Sequence, residues 1–163
     1  MLNIIWNNKK QMEKTSTIYL SSLKDTNKLA KRLSHEAKKG LFISLIGDLG
    51  SGKTTFARFF INHLSKKKIN VLSPSFPLVQ VYEFPLFKVW HYDLFRLEMD
   101  KEIFMLDYEI AIKDIILMEW PERISKYLPK DRIDCFFKED KNFKRRVELQ
   151  ICGDLKIKTN FND

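Results

Sequence analysis

Gly47-Asp48-Leu49-Gly50-Ser51-Gly52-Lys53-Thr54-Thr55, written GDLGSGKTT, is the stretch whose reading decides the fold. Its first eight residues fit G-x-x-x-x-G-K-[ST], the phosphate-binding loop. A nearly unbroken apolar run, Leu41–Ile46, precedes it, as a strand buried inside a parallel sheet requires. A helical pattern follows from about Lys53 to Lys66, with Phe56, Phe59, Phe60 and Leu64 at helical spacing. Gly50 and Gly52 permit the sharp turns that bring backbone N–H groups to phosphate oxygens. The start of the helix adds the positive end of its dipole. Lys53 is placed to reach the β- and γ-phosphates, and Thr54 to put its hydroxyl on Mg²⁺. The expected nucleotide-binding set is Asp48, Leu49, Gly50, Ser51, Gly52, Lys53, Thr54 and Thr55. Three of the chain's five glycines fall in this loop, which argues against a chance match.

The motifs that read guanine are missing. No glycine has an aspartate three residues before it, so D-x-x-G is absent, and Asn27-Lys28 continues as Leu29-Ala30 rather than as N-K-x-D. ATP is therefore expected over GTP. Glu119 ends the apolar run Ile115–Met118, the geometry of a Walker-B carboxylate beside the loop. An ordinary strand-end glutamate is the alternative. Asp93, in His91-Tyr92-Asp93-Leu94-Phe95-Arg96-Leu97, is either a second magnesium or water ligand or the cap of the next segment. His91 reads as a packed or hydrogen-bonded core histidine rather than a catalyst.

Outward from the loop, Asp25 is expected to cap a helix over Thr26–Lys39 that Gly40 ends. Val79–Tyr82 and Lys88–Tyr92 read as strands and Asp100–Ile112 as a helix. Pro121–Tyr127 reads as a short helix with proline in its first turn. Arg132–Phe137 and Val147–Ile151 read as an antiparallel hairpin around the charged loop Lys138–Arg146. The expected fold class is α/β and P-loop NTPase-like: a mainly parallel sheet flanked by helices, with antiparallel strands added toward the C-terminus.

The 163 residues suit a single domain, with residues 1–14 as a poorly ordered extension. No apolar run approaches the roughly 18 residues that span a bilayer, and the first residues lack a signal core. No membrane partner and a cytoplasmic location are expected. Cys135 and Cys152 form no CxxC pair and read as free thiols. The net charge of +8 suits an RNA-facing surface or simply a lysine-rich composition.

Together these segments resemble the bacterial TsaE (YjeE) ATPase family of the tRNA threonylcarbamoyladenosine pathway. The family loop GDLGAGKTT corresponds to GDLGSGKTT here, and SPTFTLV to SPSFPLV at Ser73–Val79. HxDLYRL corresponds to HYDLFRL at His91–Leu97, and LVEWPE to LMEWPE at Leu117–Glu122. Order and spacing match over roughly residues 20–150. The resemblance implies a weak, partner-dependent ATPase that works with TsaD and TsaB to modify adenosine 37 of tRNA, touching tRNA indirectly through that complex. It implies Lys53, Asp93 and Glu119 as the catalytic set, and Thr54, Glu119 and Asp93 as magnesium ligands. It makes Trp120 a packing or partner-contact residue. Ser75 keeps the hydroxyl of the family threonine, whereas Pro77 loses a hydroxyl and an N–H. A glycine common in the family is missing around Leu106–Tyr108. A small-molecule kinase and a nucleotide-gated binding module are the alternatives on the same fold.

Overall fold

The computed structural model describes residues 14–140, 144–158 and 161. The expected N-terminal extension lies outside the described residues except for Lys14, which opens a strand. In chain order the elements are β1 (Lys14–Leu20), α1 (Leu23–Ser34), β2 (Phe42–Ile46), α2 (Lys53–Leu64), β3 (Val79–Glu83) and β4 (Lys88–Asp93). They continue with a 3₁₀ turn at Asp100–Leu106, α3 (Tyr108–Ala111), β5 (Ile115–Glu119), a second 3₁₀ turn at Pro121–Tyr127, β6 (Arg132–Glu139) and β7 (Arg145–Cys152). The strands form one sheet in the order β1-β7-β6-β2-β5-β4-β3.

The four central strands, β6, β2, β5 and β4, are parallel. β3 runs antiparallel to β4, β7 to β6, and β1 to β7. The α/β architecture thus matches expectation, but antiparallel pairing occurs at both edges. β1 is a strand the sequence reading missed. Two antiparallel steps restore its direction to that of the central four, so the C-terminal ends of β1, β6, β2, β5 and β4 share one sheet edge.

Strand alternation assigns side chains to two cores. Ile43, Leu45, Ile115, Leu117, Ile133 and Cys135 face the cluster built with α1 and α2. Phe42, Ile116, Met118 and Tyr92 face the cluster under the 3₁₀ turns and α3. Both faces are covered, which is why Ile115–Met118 is apolar throughout. Phe56, Phe60 and Ile61 on α2 are fully buried, each contributing about 1.5–3 kcal/mol by removal from water.

Two helices differ from expectation. Ser22, not Asp25, caps α1: Ser22 Oγ accepts the Asp25 N–H at 3.4 Å and donates to Asp25 Oδ2 at 2.8 Å. This reciprocal pair starts the helix a turn early. Its end comes at Ser34, because the N–H groups of Glu36 and Ala37 bond three residues back, to Leu33 and Ser34. The expected helix over Asp100–Ile112 is broken at Asp107, whose φ of 56° is left-handed. That is the neighbourhood from which the family glycine is missing; aspartate tolerates this conformation better than most residues.

Candidate nucleotide-binding site

The loop between β2 and α2 sits at the C-terminal edge of the parallel strands, where open α/β sheets place ligands. Gly47, Gly50 and Gly52 all have positive φ. Gly47 is also pressed against β6: a Cβ there would lie 2.5 Å from the Phe137 carbonyl oxygen. Sheet register carries the acids to the same place. β4 and β5 pair Asp93 with Glu119, and β2 pairs Leu45 with Glu119. Alternation turns His91, Asp93 and Glu119 to the α2 face, because Trp90, Tyr92 and Met118 take the other.

The resulting cleft, about 200 Å³, is lined by Lys53, Thr54, Ser75, Asp93, Glu119 and Trp120 among others. Thr54 Oγ1 donates across the Glu119 carboxylate, 2.8 Å from Oε1 and 3.0 Å from Oε2. His91 Nε2 lies 2.9 Å from Glu119 Oε1. Asp93 Oδ2 accepts the hydroxyls of Ser75 at 2.5 Å and Ser73 at 3.2 Å. Asp93 Oδ1 accepts the Phe95 N–H at 3.2 Å. Asp93 thus caps the following turn, one of its two expected readings, and also lines the cleft.

Lys53 folds back on its own loop, donating to the Gly47 and Asp48 carbonyls at 2.7 and 2.8 Å. Its ammonium stands 4.5 Å from the centre of the Trp120 ring. Burial holds the Lys53 ammonium below its ordinary value of 10.5, against the opposing pull of Glu119, Asp93, Glu122 and Asp48. Trp120 and Phe95 rings pack at 5.0 Å, so the tryptophan expected near the site packs beside it. Trp120 and Leu78 both carry left-handed φ, at 59° and 65°, without being glycine. Strain of this kind concentrates at functional sites.

Asp48, Leu49, Gly50, Ser51, Gly52, Lys53, Thr54 and Thr55 lie together along the loop and first turn of α2. Ser51 Oγ is buried without a partner among the described residues, a donor available to an oxyanion in the loop. Thr54, Asp93 and Glu119 offer oxygen donors only, which fits magnesium. Among the described residues there is no group of three or more His, Cys, Asp or Glu arranged to hold a metal. Magnesium does not need such a cage, since it binds through one or two carboxylates plus phosphate oxygens and water. His91 is the hydrogen-bonded core histidine expected, but its partner Glu119 was not foreseen, nor was the Ser73 contact; the Ser75 hydroxyl was noted, but not its bond to Asp93.

A buried strand, a glycine loop and a helix, with two carboxylates on the adjoining strand ends, define a P-loop nucleotide-binding fold. A family model described as "Threonylcarbamoyl adenosine biosynthesis protein TsaE" matches residues 20–147. The chain belongs to the TsaE family. It is similar to the tRNA threonylcarbamoyladenosine biosynthesis protein TsaE of Rickettsia prowazekii, 39% identical over 131 residues, or 80% of this chain and 91% of the relative. The protein of the same name from Bacillus subtilis is 31% identical over 129 residues, covering 79% and 81% of the two chains. Among solved structures, the crystal structure of Bacillus subtilis YdiB superposes with a TM-score of 0.70 at 26% identity, covering 88% of this chain and 90% of that one.

Proposed function

We propose that this protein is a magnesium-dependent ATPase that acts with TsaD and TsaB in forming threonylcarbamoyladenosine at position 37 of tRNA. The observation that carries the proposal is the bond from Thr54, on the loop's helix, to Glu119, at the end of the neighbouring strand. It joins the phosphate cradle to an acid placed for phosphoryl chemistry. Membership of the TsaE family supports the pathway.

In this proposal the loop amides and Lys53 bind the phosphates. Lys53 exchanges its two carbonyl partners for phosphate oxygens. Thr54, Glu119 and Asp93 would hold magnesium, whose charge would offset the negative charge that develops on the phosphates. Glu119 also orients the attacking water, and the Ser73 and Ser75 hydroxyls fix Asp93. A second cavity, about 800 Å³, opens at the same sheet edge beside Leu20, Ser22, Thr26, Lys144 and Arg145. It takes in part of the segment Leu20–Thr26 and is proposed to take the nucleoside. Leu49 and Phe76, 75% and 80% exposed beside the cleft, are proposed partner contacts.

The proposal treats the chain as one domain built on one sheet, located in the cytoplasm. No helix among the described residues is long and apolar enough to cross a membrane. The kinase alternative needs Lys138–Arg146 to act as a lid. The described ends of that stretch are paired instead: Lys138 with Arg146 and Glu139 with Arg145.

The test is reconstitution of tRNA modification with and without this chain and ATP. Hydrolysis should rise when TsaB and TsaD are added, and fall sharply in Lys53→Ala and Glu119→Ala. No response to the partners, with folding intact, overturns the proposal. A phosphorylated product from a metabolite panel would favour the kinase instead.

A further inference from the structure

We propose that His91 is a positioning residue for Glu119: its Nε2–H fixes the carboxylate so that Oε2 is the oxygen left to act in the cleft. This rests on the assignment of Glu119 as a working carboxylate made above.

His91 is fully buried on β4. Register pairs it with Leu117 on β5, which puts Glu119 two residues further along on the same face. Diagonal neighbours on adjacent strands lie within reach of long side chains. The 2.9 Å contact is therefore dictated by the sheet.

The ring's two nitrogens are not equivalent. Nδ1 is buried and has no partner among the described residues, whereas Nε2 faces a carboxylate oxygen. A proton on Nδ1 alone would strand a buried N–H and aim the Nε2 lone pair at Oε1. A proton on Nε2 makes the hydrogen bond and leaves unpaired only a lone pair. Donors that remain unpaired inside a protein are far rarer than under-used acceptors. The contacts thus assign the proton to Nε2.

The two oxygens of Glu119 are then distinguished. Oε1 accepts from both His91 and Thr54, while Oε2 meets Thr54 alone at the longer 3.0 Å. With Oε1 engaged by His91 as well as by Thr54, rotation of the carboxylate is restrained, and Oε2 is the less engaged oxygen left for a ligand in the cleft that Glu119 lines. Supporting groups of this kind set the geometry of a site without touching what it binds.

The test compares wild type, His91→Leu, His91→Gln and Glu119→Gln in magnesium-ATP turnover with TsaB and TsaD present, alongside thermal unfolding. His91→Leu should lower kcat by about 10- to 100-fold, the usual effect of removing a group that orients a metal ligand. KM for ATP should stay near wild type, because the loop that binds phosphate is untouched. His91→Gln, which keeps an N–H at comparable reach, should recover most of the loss. Independently, ¹⁵N NMR of the nucleotide-free wild-type protein should show His91 with a protonated Nε2 and an unprotonated Nδ1; this decides the matter if His91→Leu does not fold. The reverse tautomer, or wild-type kcat in His91→Leu, overturns the inference. Loss of turnover in Glu119→Gln with no loss in His91→Leu removes the inference alone. Full turnover in Glu119→Gln removes the assignment of Glu119 and this inference with it.

Discussion

Replacing Gly47 with alanine tests how the phosphate loop is seated, and the size of the effect follows from two contacts. The new Cβ would lie 2.5 Å from the Phe137 carbonyl oxygen and 3.0 Å from the Phe137 Cβ, where ordinary contact begins at 3.4 Å. The oxygen belongs to β6 backbone and has no rotamer to change. The loop must therefore lift by most of an ångström or the strand must yield. Overpacking of this kind costs about 1–3 kcal/mol. The backbone adds a second cost, since φ at Gly47 is 150°, and a non-glycine residue in such a region pays about 1–3 kcal/mol. Together they come to about 4 kcal/mol at mid-range. In a chain of this size each kcal/mol shifts Tm by roughly 2–4 °C, so Gly47→Ala should melt roughly 8–16 °C below wild type. Gly50→Ala is the control. Its φ of 79° is also left-handed, but its Cβ would meet nothing within 4 Å. It should cost only the backbone strain of about 1–2 kcal/mol. Nucleotide-free thermal unfolding by circular dichroism measures both. A Gly50→Ala shift equal to or larger than that of Gly47→Ala would refute the claim that the loop is wedged against β6.

Three further outcomes are expected. Arg132 holds Asp134, which is 1% exposed, at 2.9 Å; Arg132→Ala should cost about 3–5 kcal/mol in urea unfolding by leaving a buried carboxylate without its cation. Lys130→Ala, which breaks the exposed pair with Asp154, should cost less than about 1 kcal/mol, and equal losses would contradict the burial argument. In the proposed site Lys53 would bind phosphate as the ammonium, and burial lowers its proton affinity from 10.5. ATP affinity should therefore fall as pH rises through the depressed value, whereas Lys53→Arg, which stays charged, should show a flat profile; identical profiles in a binding titration would count against it. Ser75→Ala removes the 2.5 Å bond to Asp93, so amides of Ser73–Leu78 should exchange hydrogen faster while global stability changes by about 1 kcal/mol or less. Unchanged exchange by mass spectrometry would show that the segment is held by other contacts.

Much of the site could be read from local sequence because its parts are local. The loop, the strand before it and the helix after it are contiguous, and each carries its own signature. Glu119 was legible for the same reason, standing at the end of an apolar run. The His91–Glu119 bond spans 28 residues and depends on β4 lying beside β5, a pairing that neither segment announces alone. The same applies to Ser73 and Ser75, which reach Asp93 from a loop 18 to 20 residues earlier. β1 escaped although Thr15, Thr17 and Ile18 carry a β-branched strand signal. It is an edge strand whose partner, β7, lies at the other end of the described chain, so nothing nearby in sequence calls for it. The misplaced start of α1 came from taking Asp25 as the cap, whereas Asp25 bonds to Ser22, the residue that caps the helix. The break at Asp107 carried only a weak signal, since aspartate is ordinary within helices.

The pairing of Asp93 with Glu119 on adjacent strands has a consequence for how this site can change over generations. A point substitution can swap the chemical group at either position, but it cannot slide the group along. One residue inserted into β4 before Trp90, with the start of the strand held in register, would turn Trp90 and Tyr92 toward α2 and send His91 and Asp93 into the opposite core. Inheritance can thus retune the site in whole-residue steps only. Length variation is correspondingly confined to the connections between strands, and the spacing within β4 and β5 is as much a part of the site as its acids.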